Sequence, residues 1–94
     1  MEPCDVDQLP VADYHAAIMA RAITDELRNA IRQSWGINCL FRLQSVYSLV
    51  PQFQNHFPHI RDMQMALRSA LRQLRIEGFI EFIDHDGMYM RLLP

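Results

Sequence analysis

The chain has 94 residues, 50% of them hydrophobic and 21% charged, with a formal net charge of −2. That is one domain's worth of a core-forming fold, not a low-complexity or collagen-like chain. No apolar run approaches a membrane span and no cleavable signal is expected at the start. Cys4 and Cys39 lack CxxC or CxxH neighbours, so they read as cytoplasmic thiols rather than zinc ligands, with a disulfide between them left open. All nine basic residues are arginine. This excludes lysine Schiff-base chemistry, a P-loop lysine and the lysine of PD-(D/E)xK nucleases. With a net negative charge, nucleic-acid contact has to come from local clustering of cations.

Residues 1–10 are acidic, hold two prolines and lack periodicity, which predicts a flexible lead-in ahead of a single domain over 11–94. Asp13 can cap a first helix, with Tyr14, Ile18 and Ala22 on one face and Ala16, Ala17 and Ala20 supplying propensity. Thr24, followed by Asp25 and Glu26, reads as a fresh helix start. Ile23, Leu27, Ala30 and Ile31 form the next apolar face, and Gly36 stops it. The two stripes are rotated apart, so there are either two helices or one long helix buried on two sides. Both predict that this segment touches a dimer partner or another domain.

Cys39 to Leu43 is a short strand candidate, with Phe41 and Leu43 facing alike. Val46, Leu49, Val50, Phe53 and Phe57 give a helix face that Pro51 should kink or restart. Asn55 to Pro58 form a turn. Ile60 to Ile76 is the most periodic stretch: Ile60, Met63, Leu67, Ala70, Leu71 and Leu74 fill one arc, with Asp62 as N-cap and Gly78 as stop. Phe79–Ile83 and Met88–Leu92 flank Asp86-Gly87, a strong hairpin signal. The predicted fold is mainly α with a small antiparallel β-hairpin: a winged helix-turn-helix with an extra N-terminal helix. Its recognition helix is expected over about 60–77 and its wing over about 79–93.

On that helix Arg61, Arg68, Arg72 and Arg75 fall within about 60° of arc, turned about 120° from the core face. Met65 lies in the stripe, with Gln64 and Ser69 beside it. A guanidinium fork can grip guanine O6/N7 or a phosphate bidentately. A winged helix presents this helix to the major groove, so Arg61, Gln64, Met65, Arg68, Ser69 and Arg72 are the expected DNA contacts. Met65 could touch a thymine methyl or an N6-methyladenine. Arg75, near the helix end, is expected in an ion pair or as a carbonyl cap.

Other constellations favour ordinary structure. His56-x-x-His59 with His85 is a weak metal spacing better explained by turns. Asp84 and Asp86 are turn residues. The serines lack a nucleophile-elbow context, and Trp35 and Tyr14 should pack rather than stack on bases. No cofactor, no metal and no enzymatic activity are expected. The Asp84-His85-Asp86-Gly87 turn is acidic, which argues against a phosphate grip by the wing tip unless His85 is protonated.

The series Phe41-x-Leu43-x-x-Val46-Tyr47, then Pro58, then Leu67-Arg68-x-x-Leu71-x-x-Leu74-Arg75-x-x-Gly78-Phe79-Ile80-Glu81-Phe82 resembles the C-terminal winged-helix domain of Dam-replacing (DpnI-like) restriction endonucleases. The resemblance runs from about Phe41 to Leu92. It implies a module that reads methylated adenine in duplex DNA beside a separate nuclease domain, with Arg68 and Arg72 on the DNA-facing helix. The expected partner is therefore double-stranded DNA, in a restriction-modification or transcription-regulating setting. A dimer would call for a palindromic site with half-sites about 34 Å apart. The competing expectation is a protein-interaction module that docks through its N-terminal helix and the Met88–Met90 strand.

Overall fold

The computed structural model describes the backbone of residues 11–84 and 87–94, and side chains from Ala17 onward within them. The expected lead-in, Cys4, the side chains of Asp13 and Tyr14, and the turn pair His85-Asp86 lie outside the described residues. Among the described residues no helix is long and apolar enough to cross a membrane.

Helix α1 (Val11–Ser34) runs unbroken through Thr24. The Thr24 hydroxyl donates to the Ala20 carbonyl one turn earlier, at 2.8 Å. This is the bond a threonine makes inside a helix, so the fresh start expected there does not occur. Asp13 likewise lies within the helix rather than ahead of it. Ile23, Leu27 and Ile31, spaced four apart, are buried on the core side. Ile18 belongs to the other stripe and remains 48% exposed.

After α1 the chain forms strand β1 (Leu40–Arg42), helix α2 (Leu43–Tyr47) and helix α3 (Val50–His56). Leu43, expected on the strand beside Phe41, instead opens α2, and its N–H donates to the Gly87 carbonyl at 2.8 Å. Pro51 stands in the first turn of α3, where a missing N–H breaks no helical bond. The restart expected at Pro51 is therefore the one observed. Val46 and Phe53 are fully buried. The turn after α3 is held by Gln54, whose amide donates to the carbonyls of Phe57 at 3.3 Å and Ile60 at 2.8 Å.

Helix α4 (Met63–Ile76) begins later than the periodicity suggests. The Asp62 carboxylate accepts from the Met65 N–H at 3.0 Å, fixing the first turn there. Ile60 and Arg61 consequently precede the helix. Met63, Leu67, Ala70, Leu71 and Leu74 are buried as their spacing requires. Gly78, at φ +82°, sits one residue past the Glu77 cap, in the left-handed conformation that ends helices.

Strands β2 (Ile80–Phe82) and β3 (Met88–Arg91) form the wing, and the sheet gains β1 in the antiparallel order β1-β3-β2. Gly87 has φ +83°, and a Cβ there would come within 3.2 Å of the Leu43 side chain. The wing turn thus lies close against the start of α2. Phe41 faces Tyr89 and Tyr89 faces Phe82 across the sheet. Opposed residues share a face, and their rings continue a row begun by Trp35: stacked at 4.5 Å on Phe41 and at 5.7 Å from Phe41 to Tyr89, then tilted at 5.2 Å from Tyr89 to Phe82. Three helices carrying a helix-turn-helix, closed by a small antiparallel sheet, make a winged helix-turn-helix, preceded here by the long α1.

Leu67→Ala empties a fully buried site and should lower stability by about 2–5 kcal/mol. Asp62→Ala removes only the cap and should cost about 1 kcal/mol. Urea unfolding followed by circular dichroism measures both; equal losses for the two variants would contradict this division between core and cap.

Candidate nucleic-acid interface

Because Leu67, Leu71 and Leu74 turn inward, the opposite side of α4 is forced outward. Gln64, Met65, Arg68, Ser69 and Arg72 are all exposed on it, Met65 at 63%. Arg61 is also exposed but stands ahead of the helix, two residues before its first turn. The stripe inferred from helical spacing therefore loses its first member. Arg61 sits at the N-terminal approach to α4, not on the arc of Arg68 and Arg72.

Three of the other arginines are engaged within the protein. Arg28 bonds Asp25 at 2.7 Å and pairs with Glu77. Arg91 is 8% exposed; it donates to the carbonyls of Leu93, Arg32 and Trp35 at 2.9, 3.3 and 2.7 Å. Arg32 donates to the Pro94 carbonyl at 2.8 Å and lies over Phe79. These three are structural. Among the described residues Arg61, Arg68 and Arg72 make no ion pair. Asp62, the only carboxylate between Arg61 and Arg72, is engaged by the Met65 N–H.

Arg75 is a correction. In place of the ion pair or carbonyl cap expected of it, its guanidinium lies over the Phe82 ring, 5.3 Å from the centroid. The flat cation covers the end of the aromatic row. Sequence spacing also missed Tyr89. This residue joins Met65, Arg68, Ser69, Arg72 and Arg75 around a hollow of about 400 Å³ between α4 and β3. The signal was the register of the wing, in which Tyr89 stands opposite both Phe41 and Phe82.

The far end of α4 is tied to α1. Glu77 accepts from the Gln73 amide at 3.2 Å and pairs with Arg28. Gln73 holds the Glu77 carboxyl below its ordinary range; partial burial opposes this and Arg28 adds to it. Arg28 is held above its own ordinary range, because the bonds to Asp25 and Glu77 outweigh the opposing effect of burial.

His56 is paired with Glu26 through Nδ1 at 2.6 Å. Among the described residues no cluster of three or more histidines, cysteines and carboxylates is arranged to hold a metal. Cys39 is free and exposed. Trp35 packs on Phe41, as its expected role requires.

A helix-turn-helix closed by a small antiparallel wing is the winged-helix architecture, whose general role is DNA binding. The sequence matches the Dam-replacing HTH domain over residues 36–91, more than half of the chain, and the chain belongs to that family. No curated protein matches it. The match begins as α1 ends and spans β1 through β3.

The lowered Glu77 carboxyl favours the folded state at pH values above its ordinary 4.5. That contribution is lost as the pH falls through the depressed folded-state value. Wild type should therefore lose thermal stability on acidification below about 4.5, and Glu77→Gln should lose less over the same interval. Thermal melts across pH 3–7 would reveal it; superimposable pH profiles would rule out the contribution.

Proposed function

We propose that this winged helix binds duplex DNA with α4 in the major groove, reading base edges through Gln64, Met65, Arg68, Ser69 and Arg72. Arg61 contacts the strand near the helix N-terminus. The observation that carries this reading is the set of exposed guanidiniums without carboxylate partners, on the outer side of a helix whose inner side is fixed. A cation already neutralised within the protein has little left to offer a phosphate or a guanine; Arg68 and Arg72 retain their full charge and donor sets.

Membership of the Dam-replacing HTH family supports a finer reading, in which the module senses adenine methylation. Met65, exposed between the arginines, is the residue suited to an added methyl group. The role is that of a reader rather than an enzyme, in a restriction-modification setting.

A second reading has its own support. Between α1 and α4 lies a groove of about 910 Å³, with Met19, Ile23, Ile60 and Ala70 among its walls, and Ile18 remains exposed nearby. This favours association through α1, with a second copy or a partner protein. Sedimentation at increasing concentration tests it: a dimer supports pairing of two readers on a palindromic site, and a monomer removes that arrangement.

Arg68→Ala and Arg72→Ala should each weaken binding to duplex DNA by at least fivefold while leaving the melting temperature unchanged. With about four phosphate-type contacts, log K should fall against log salt with a slope of roughly −3 to −4. Fluorescence anisotropy on duplexes selected from a random pool, with and without adenine methylation, measures both. Wild-type affinity in both variants would refute the assignment of α4 as the reading helix.

A further inference from the structure

The hollow between α4 and β3 borders the proposed base-reading face through Met65, Arg68, Ser69 and Arg72 and adds two groups that reading leaves unused, Arg75 and Tyr89. Three guanidiniums, Arg68, Arg72 and Arg75, share its walls with Tyr89, Met65 and Ser69, and no carboxylate is among them. Two of these groups are held in place by packing rather than by polar partners. The Tyr89 ring is stacked on Phe41 and meets Phe82 at a tilt, and the Arg75 guanidinium lies over Phe82. Stacking occupies the face of each flat group and leaves its edge available: the N–H fork of Arg75 and the O–H of Tyr89.

Among the described residues no hydrogen bond engages the Tyr89 hydroxyl. Burial pushes its pKa up, against the opposing pull of Arg75 and Arg68, so at neutral pH it is a phenol with a proton to donate. A half-buried donor beside three cations is matched by an anion.

Position along the helix selects the kind of anion. In helix-turn-helix docking the N-terminal residues of the recognition helix meet base edges. Arg75 stands about 10 Å further along the axis than Arg68, toward the rim of the groove where the sugar-phosphate strand runs. The wing turn is acidic in sequence, with Asp84 and Asp86, and like charge suits it poorly to a phosphate strand; Asp84 accepts from the Met88 N–H at 3.3 Å.

We propose that this hollow is a binding site for one backbone phosphate of duplex DNA, gripped by Arg75 and by the Tyr89 hydroxyl, while Arg68 and Arg72 on its other wall face the base edges. The anchor on the DNA strand is then the root of the wing, where β3 meets α4, and not the wing tip. Arg75 and Tyr89 position the helix without carrying sequence information. This inference rests on the DNA-reading assignment of α4 and adds a sequence-independent contact to it.

The test uses the full chain and a 20-base-pair duplex of arbitrary sequence, because non-specific binding is dominated by phosphate contacts. Arg75→Gln should reduce the slope of log K against log salt by about 0.9. Tyr89→Phe keeps the ring and its stacking, so it should lower affinity about tenfold with the slope unchanged. Arg75→Lys retains the charge and should keep the slope while losing affinity. Both losses should be uniform across duplex sequences, and melting temperatures identify any variant altered in fold.

If Arg75→Gln and Tyr89→Phe keep wild-type affinity and slope while Arg68→Ala loses binding, the phosphate site is refuted and the reading helix stands. If Arg68→Ala and Arg72→Ala also bind as wild type does, the assignment of α4 fails and the phosphate site fails with it. Losses confined to particular base sequences would make Tyr89 and Arg75 base readers and likewise overturn the proposal.

Discussion

The structure depends on the contact between the leucine side of α4 and the core side of α1. Leu67, Leu71 and Leu74 are closed off from solvent together with Leu27 and Ile31. An amphipathic helix of fourteen residues is marginal alone; burying one side fixes its rotation about its own axis. Once the leucines face inward, Arg68, Arg72 and Met65 have nowhere to point but outward. The Arg28–Glu77 pair ties the C-terminal end of the helix to α1, and the Asp62 cap defines the other end. The direction of the basic face is thus a consequence of hydrophobic packing.

A second constraint comes from the sheet. The row Trp35, Phe41, Tyr89 and Phe82 runs across the three strands and ends under Arg75. It links the end of α1, the wing and the recognition helix through packed rings. Arg91, also on β3, holds the carbonyls at the end of α1. The family match starts at residue 36, yet Ile23, Leu27 and Ile31 supply part of the same core. In this chain the winged helix and the preceding helix share one hydrophobic interior.

Local periodicity made much of this legible in the sequence. The buried side of α4, its Asp62 cap, the Gly78 stop and the restart at Pro51 each follow from residues within a turn or two of one another. The departures involve long-range pairing or competing local bonds. β1 pairs with β3 across some fifty residues, which no short window can detect. Thr24 looked like a helix start because its hydroxyl suits a cap, but inside the helix the same hydroxyl is satisfied by the Ala20 carbonyl. Arg61 fits the stripe by angle alone and falls outside because the cap sets the helix to begin at Met63. The site was half legible: the exposed helical members could be read from spacing, whereas Tyr89 and the stacked Arg75 required the strand register.

Five of the nine arginines show how neighbours rather than chemistry set a guanidinium's role. Arg28, Arg32 and Arg91 serve the fold; Arg68 and Arg72 stand exposed on α4 with no ion pair among the described residues, on a protein whose total charge is negative. An isotope-labelled sample titrated with duplex DNA tests the DNA-reading assignment of α4 most directly through its backbone amide shifts. The largest changes are expected along Gln64–Arg75 and at Met88–Met90, with α1 little affected. Perturbations concentrated on Ile18–Leu27, with α4 silent, would contradict it.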